Sequence, residues 1–430
     1  MGQKVIVLSA DAMVHEDIEY LKTLPNFERY LAGGVEIKRV RSIYPSITYP
    51  IHVTLATGAW ADRHGVVSNN EFHPGFLKPP WNWFHNPVKI PDIFDAAKKA
   101  GLSTAAVFWP VTGKHPSIDN LIAEYWTQAE GETLKEAFTR AGSNPLMLSI
   151  IERNFKKGMV QREHPLYDEF IINCACDVIK LCKPDLLMIH PANIDDYRHK
   201  YGSFSSMIAR GTEETDSYIG RLMKAAEEAG IADDINFFLI SDHGQIDITR
   251  SININVLLAD NGLIRCDGEG QFLDWDAYVH SNGMSALVYL RDKGDLKLYD
   301  KTYTLLRHLC EEGIYGISRV FTETETRENE RLGGDFSFVL ETDGYTAFGE
   351  DWKRPMVKNM DLTDYRFGRA THGYLPDKGP QPMLLAKGPV LRNGTILEKG
   401  SIIDEAPTFA KVLGLSLPDA DGSAIDEILL

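Results

Sequence analysis

Cysteine is scarce in this chain, positive charge is outnumbered, and long apolar runs are missing. Five cysteines (Cys174, Cys176, Cys182, Cys266, Cys310) in 430 residues are few and odd in number. They build no disulfide framework, which favours a reducing compartment. Three of them fall within residues 174–182, where a metal knuckle would need a His or a fourth Cys. A helix carrying small buried thiols is the plainer reading. Lys and Arg total 45 against 61 Asp and Glu, a formal net charge of -16. That excludes a general binder of nucleic acid or acidic membrane, whose phosphates would be repelled. An anionic small-molecule substrate stays within reach if bound cations reverse the local field. No apolar stretch reaches membrane-spanning length. Met1–Lys4 runs straight into the strand-like Val5–Ser9, with no secretory signal, and Ile6 stands where a myristoylation pattern needs Ser or Thr. The expected compartment is the cytoplasm, without a membrane partner. Internal repeats and low-complexity segments are missing too.

What is present is an ordinary globular composition, 43% hydrophobic and 25% charged, in a chain longer than one usual domain. Short apolar runs (Val5–Leu8, Thr104–Phe108, Leu186–Ile189, Phe237–Ile240) alternate with helical patterns such as Pro91–Ala100 and Ser206–Ala229. This rhythm predicts an α/β fold, a mostly parallel central sheet with helices on both faces. Residues 251–369 read differently, with strands at Met284–Leu290 and Phe336–Leu340 and a helix at Lys297–Cys310. They are expected to form an α+β insertion or cap. Residues 1–250 and 370–430 form the core, which resumes with a strand at Pro382–Ala386 and a helix at Asp404–Leu413.

Chemistry-bearing residues follow the apolar runs, where open α/β sheets bind ligands. Asp11 closes the first run, although a helix cap would use the same residue. Thr48 or Tyr49 stands at the cap of a helix whose first turn holds Pro50, a place for a phosphate or simply for a Thr cap. Asp195 and His199 share one helix face four residues apart, suited to one cation or to ion pairs with Arg198 and Lys200. The strand ending Ser241-Asp242-His243-Gly244 is the sharpest signal, because adjacent carboxylate and imidazole reach one metal from a tight turn. Gly244 permits close backbone approach there. His372, in Ala370-Thr371-His372-Gly373, is selected because the others demand a third ligand.

Taken in this order, the segments resemble the nucleotide pyrophosphatase/phosphodiesterase branch of the alkaline phosphatase superfamily. The resemblance runs through Thr48-Tyr49-Pro50, Thr54-Leu55-Ala56-Thr57-Gly58, His64-Gly65-Val66-Val67-Ser68-Asn69, Phe108-Trp109-Pro110 and Ser241-Asp242-His243-Gly244. It implies an alkaline phosphatase-like fold and two zinc ions. Asp11, Asp242 and His243 would hold one with Thr48, and Asp195, His199 and His372 the other. Thr48 would be the nucleophile and Asn69 a donor to a phosphoryl oxygen. Two positions depart from the family's habit: Arg198 replaces a Gly and Ile51 an Asn. Both bear on substrate preference and neither on a ligand.

Coordination lowers the pKa of a hydroxyl, and paired cations clamp the attacking and leaving oxygens of an in-line displacement. Two dications bring about +4, and three aspartates with an alkoxide return about -4, so a singly charged diester suits the site. A dianionic monoester would want an added cation, for which Lys114, Arg198 and Lys200 are nearest in sequence. Tyr49, Trp109 and Tyr201 could stack on a base. The expected function is thus hydrolysis of phosphodiester or phosphoanhydride bonds in a small phosphate-ester or nucleotide-like substrate. The rival on the same scaffold is phosphomonoester or phosphonate hydrolysis, as in phosphonoacetate hydrolases. A non-catalytic metal-binding protein is the rival from another class.

Overall fold

In the computed structural model, which describes residues 2–430, eight strands hydrogen-bond into one central sheet. They are β1 (Lys4–Ser9), β2 (Val35–Arg41), β3 (Thr104–Val107), β4 (Asn120–Ile122), β5 (Leu186–Ile189), β6 (Ile235–Ile240), β7 (Leu384–Lys387) and β8 (Ile396–Ser401). Their spatial order is β8-β2-β7-β6-β1-β5-β3-β4. All neighbours pair in parallel except β7, which runs antiparallel to both β2 and β6. Every residue of β3, β5 and β6 is buried, as continuous apolar runs in a sheet covered on both faces must be.

Six helices position the site: α1 (Thr48–Thr57), α2 (Ile93–Lys99), α3 (Leu166–Cys182), α4 (Asn193–Tyr201), α5 (Ser206–Ala229) and α6 (Glu405–Val412). Alternation along β1 sorts them into two layers. Val5 and Val7 pack with Ile51, Val53 and Leu55 of α1, Phe94 of α2 and Phe409 of α6. Ile6 and Leu8 face the other way, against Phe170 and Ile179 of α3 and Leu222 of α5. Each such buried aliphatic or aromatic side chain contributes roughly 1.5–3 kcal/mol. The expected doubly covered α/β fold is the observed one. Cys174, Cys176 and Cys182 sit on α3 and all five cysteines are unpaired.

Several boundaries differ from the sequence expectation by one or two residues, and two of the differences have a clear physical reason. Helix α2 begins at Ile93, not Pro91, because the Asp92 carboxylate accepts the N–H groups of Phe94 and Asp95 and caps it. Thr48 is the first helical residue of α1 rather than its cap, a place taken by Ile47. Pro50 still lies within the first turn, where no N–H is needed for the helix ladder.

The later region carries its own core. Strands Ala277–Ser281, Ser285–Leu290, Phe338–Thr342 and Ile317–Thr322 form an antiparallel sheet in that order, backed by a helix at Leu296–Glu312. Phe338, Leu340, Leu306 and Val279 pack together away from the central sheet. Its two ends meet where Ala370 and Thr371 pair antiparallel with Asp247 and Ile246. No helix of the described residues is long and apolar enough to cross a membrane.

Candidate metal and phosphoryl-transfer site

Strand register gathers the site. Leu8 lies level with Ile189 of β5 and with Leu239 of β6, and Ser9 level with Ile240. The residues that leave these three strands therefore emerge side by side at one sheet edge: Asp11, His190 through Asp195, and Asp242 with His243. The Asp11 N–H donates to Pro191 O at 3.2 Å and the Ala10 N–H to Ile240 O at 2.9 Å, which fixes the exit path. A Cβ on Gly244 would lie 2.4 Å from the Pro380 carbonyl oxygen, so the Asp242–His243 turn tolerates only glycine after it.

Two trios form there, Asp11 with Asp242 and His243, and Asp195 with His199 and His372, each with candidate ligand atoms within 4.8 Å of one another. His243 Nε2 lies 3.3 Å from Asp242 Oδ2 and 3.5 Å from Asp11 Oδ1. Asp195 reaches His199 Nε2 at 3.1 Å and His372 Nε2 at 3.8 Å. The His243 and His372 rings stack at 4.0 Å and join the trios. Thr48, brought in by α1, places Oγ1 3.1 Å from His243 Nε2.

The arrangement fits cations because several ligands have one atom tied down and another left over. Asp242 Oδ1 accepts the N–H groups of Ala12 and His243, while Oδ2 has no hydrogen-bond partner among the described residues. Asp11 Oδ2 pairs with His190 Nε2 at 3.1 Å, while Oδ1 is unpartnered. His199 Nδ1 donates to Ala370 O at 2.8 Å, which directs the Nε2 lone pair into the site beside Asp195. Such outer partners are what orient metal ligands. Gln245 steadies Asp195 by donating to Oδ1.

Electrostatics point the same way. Burial, then the carboxylates of Asp195 and Asp242, push Asp11 well above the usual carboxylate range. Burial drives His372 far down, with His243 adding to it. Burial also opposes charge on Asp195, yet His199, His372 and His243 hold it below its ordinary value. Crowded acids and imidazoles pushed apart in this way are relieved by a bound cation.

A cavity of about 120 Å³ opens from the trios and is lined by Thr48, Tyr49, Asn69, Asp195 and His199 among others. Asn69 Oδ1 accepts the Tyr49 N–H at 2.8 Å, which leaves its amide nitrogen as the donor. Of the expected substrate-contacting residues, Tyr49 lines this cavity. Trp109, Lys114, Arg198, Lys200 and Tyr201 do not. The reason on α4 is helical angle: Asp195, Asp196 and His199 line the cavity, so Arg198, Lys200 and Tyr201 point elsewhere. Arg198 is fully buried, donating to Ala12 O, Ser203 O and Asp17. Lys200 pairs with Asp196 at 2.8 Å, and Tyr201 is half-exposed beside Tyr197. Trp109 is buried with its indole N–H on His52 O, and Lys114 lies over the Phe84 ring. The sequence reading missed His190, Glu124, Trp81, Trp126 and Tyr365, all of which line the cavity. His190 and Glu124 each follow an apolar strand run, the same signal that singled out Asp11.

A family model described as type I phosphodiesterase / nucleotide pyrophosphatase matches residues 5–374. The chain belongs to this family. Along 98% of its length it is 23% identical to human ectonucleotide pyrophosphatase/phosphodiesterase family member 5, covering 76% of that protein. It is 24% identical over 254 residues to bovine family member 3, with 56% of this chain and 24% of that protein covered. It is 25% identical over 239 residues to venom phosphodiesterase 2 of Crotalus adamanteus, 53% and 25% covered. The chain thus spans about a quarter of the length of these last two relatives. The solved structure of murine ectonucleotide pyrophosphatase/phosphodiesterase 5 shares the fold, with a TM-score of 0.68 at 20% identity over 100% of both chains. An inactive threonine-to-alanine variant of that murine protein, in complex with AMP, gives a TM-score of 0.65.

Proposed function

We propose that this protein is a phosphoric ester hydrolase, a two-zinc phosphodiesterase/nucleotide pyrophosphatase that works through a phosphothreonine at Thr48. One observation carries the reading: Thr48 Oγ1 sits 3.1 Å from His243 Nε2, between two trios whose spare donor atoms converge. Asp11, Asp242 and His243 would hold one ion, and Asp195, His199 and His372 the other. Bound there, the cations would supply the Lewis acidity that makes a hydroxyl a nucleophile and a phosphoryl group an electrophile.

The chain's own residues then do the following. Thr48 Oγ1 loses its proton to solvent and bonds to phosphorus as the bond from phosphorus to the leaving oxygen breaks. That oxygen takes up a proton from solvent to depart as an alcohol. The Asn69 amide donates to a phosphoryl oxygen. Water next attacks the phosphothreonine, releasing the phosphorylated product and returning Thr48. The loss of activity in the murine relative's threonine variant, and its complex with AMP, support the same assignment here.

Diesters are favoured over monoesters because Lys114, Arg198 and Lys200 stand outside the cavity, and Arg162, the one Lys or Arg among the described residues that lines it, is engaged with the Trp81 and Trp126 rings. The unpaired cysteines make a reducing compartment the proposed setting. The test is a panel on zinc-loaded protein comparing bis-p-nitrophenyl phosphate, p-nitrophenyl phosphate and phosphonoacetate. Fastest turnover of the diester is expected; faster turnover of either rival substrate would overturn the reading.

A further inference from the structure

The proposed mechanism leaves one buried carboxyl in the cavity without a task. Glu124 stands two residues beyond β4, at the same edge of the sheet as the metal-ligand trios, and lines the cavity with Thr48, Asp195 and His199. Its Oε2 has no closely aligned hydrogen-bond partner among the described residues, and the hydroxyl near the carboxyl is that of Tyr49. Burial pushes this carboxyl up to about 8, although the Tyr49 hydroxyl and Arg162 pull the other way. Arg162 does not neutralise it by contact. Its guanidinium lies over the rings of Trp81 and Trp126, 5.7 and 5.1 Å from their centroids.

A buried acceptor without a partner costs stability wherever it serves only the fold. Facing a ligand cavity, it is satisfied when the ligand arrives. The surrounding walls are aromatic, with Tyr49, Trp81, Trp126 and Tyr167 lining the same space. A carboxyl among aromatic faces matches nitrogen groups: a polarised or charged N–H forms a charge-assisted bond with the carboxylate, while its carbon frame or ring lies on the aromatic wall. A hydroxyl gives a weaker bond and has less charge to draw the proton off a buried acid.

Resting on the phosphodiesterase reading, we propose that Glu124 is the specificity residue of this cavity, accepting hydrogen bonds from an N–H-bearing group on the organic part of the phosphodiester. That group is either a primary ammonium or the amino and ring N–H edge of a nucleobase. The trios hold the phosphoryl group, and Glu124 selects which ester is held beside it.

The test compares wild type with Glu124→Leu and Glu124→Gln on four p-nitrophenyl diesters. Two carry N–H donors, p-nitrophenyl phosphorylethanolamine and the p-nitrophenyl ester of guanosine 5′-monophosphate. Two carry none, bis-p-nitrophenyl phosphate and p-nitrophenyl phosphorylcholine. Glu124→Leu is expected to lower kcat/KM about 10- to 100-fold on the preferred N–H-bearing ester, with the donor-free esters within about twofold. Glu124→Gln, which keeps an acceptor, should fall between. The ethanolamine and guanosine arms separate the two sources of the N–H group. An equal loss on all four esters, no loss on any, or the greatest loss on the choline ester would overturn the proposal. If wild type cleaves none of the diesters, the phosphodiesterase reading itself fails. Calorimetric binding of GMP and phosphoethanolamine then decides Glu124: weaker binding by Glu124→Leu supports its role, and equal binding overturns it.

Discussion

Two clusters of His and Asp in this molecule look alike on paper and differ in what is left over. One is the pair of trios beside Thr48. The other is the corner where Asp92, Asp95, His85 and His115 come within 4.8 Å of one another. In the corner the bonds close on themselves. Asp92 caps α2 through Oδ1 and pairs with His115 Nε2 at 2.9 Å through Oδ2. His115 Nδ1 accepts the Ser117 N–H, and Asp95 takes the Ser117 hydroxyl and the Asp92 N–H. In the trios, Asp11 Oδ1 and Asp242 Oδ2 have no such partner among the described residues. Residue type and proximity therefore do not distinguish a ligand site from a structural knot. Unspent donor and acceptor capacity does.

The comparison can be broken most severely at the nucleophile. Thr48→Ala is expected to lower diester turnover by about a thousandfold or more while metal content stays near two zinc per chain. Retained turnover would remove Thr48 from the mechanism. Next comes the metal count itself. Asp242→Asn and His199→Ala should each lose about one zinc by mass spectrometry of the native protein, whereas Asp92→Asn should lose none. A metal lost from the Asp92 variant would erase the contrast.

Stability is the next readout. Arg198→Ala, which leaves buried Asp17 without its partner, should cost about 3–5 kcal/mol in denaturant unfolding, with the order of substrate preference unchanged. Asp92→Asn should cost about 1–3 kcal/mol, and its pH dependence has a definite sign. Burial opposes charge on Asp92, yet His115 holds it below its ordinary 3.8. Its stabilisation is present above that value and is lost as pH falls through the lower folded one. Burial likewise opposes charge on His115, yet Asp92 lifts it above 6.5. That contribution is full below 6.5 and is lost as pH rises through the raised folded value. The stability gap between wild type and Asp92→Asn should therefore be widest near pH 5–6 and shrink on either side. The smallest effect belongs to Lys200→Ala, whose partly exposed pair with Asp196 should change stability by less than about 1 kcal/mol.

Five of the six trio residues were legible because they lie just beyond a buried strand or one turn along a helix, where topology leaves few choices. His372, by contrast, is selected only because the others demand a third ligand. Asp11 and Asp242 follow neighbouring parallel strands, and Asp195 and His199 need only the helical repeat. The cavity wall was not legible in the same way. Trp81 and Tyr365 arrive on long connecting segments whose path depends on contacts far away in sequence. Lys114, Arg198 and Lys200 were candidates by nearness along the chain, which says nothing about direction around a helix or turn. The capped start of α2 was missed because Pro91 looks like a first helical residue until the side chain of Asp92 is seen to do the capping.

The two short strands that close the later region, Ile246–Asp247 and Ala370–Thr371, lie within a few residues of His243 and His372. A loop whose ends are stapled together pays little extra entropy as it grows. Everything hung between the staples can then be lengthened, pruned or exchanged during evolution with the imidazoles kept in place. Swapping that whole segment between relatives, cut at the staple, is the natural route to hybrid enzymes with altered surfaces and, through Tyr365, an altered cavity wall.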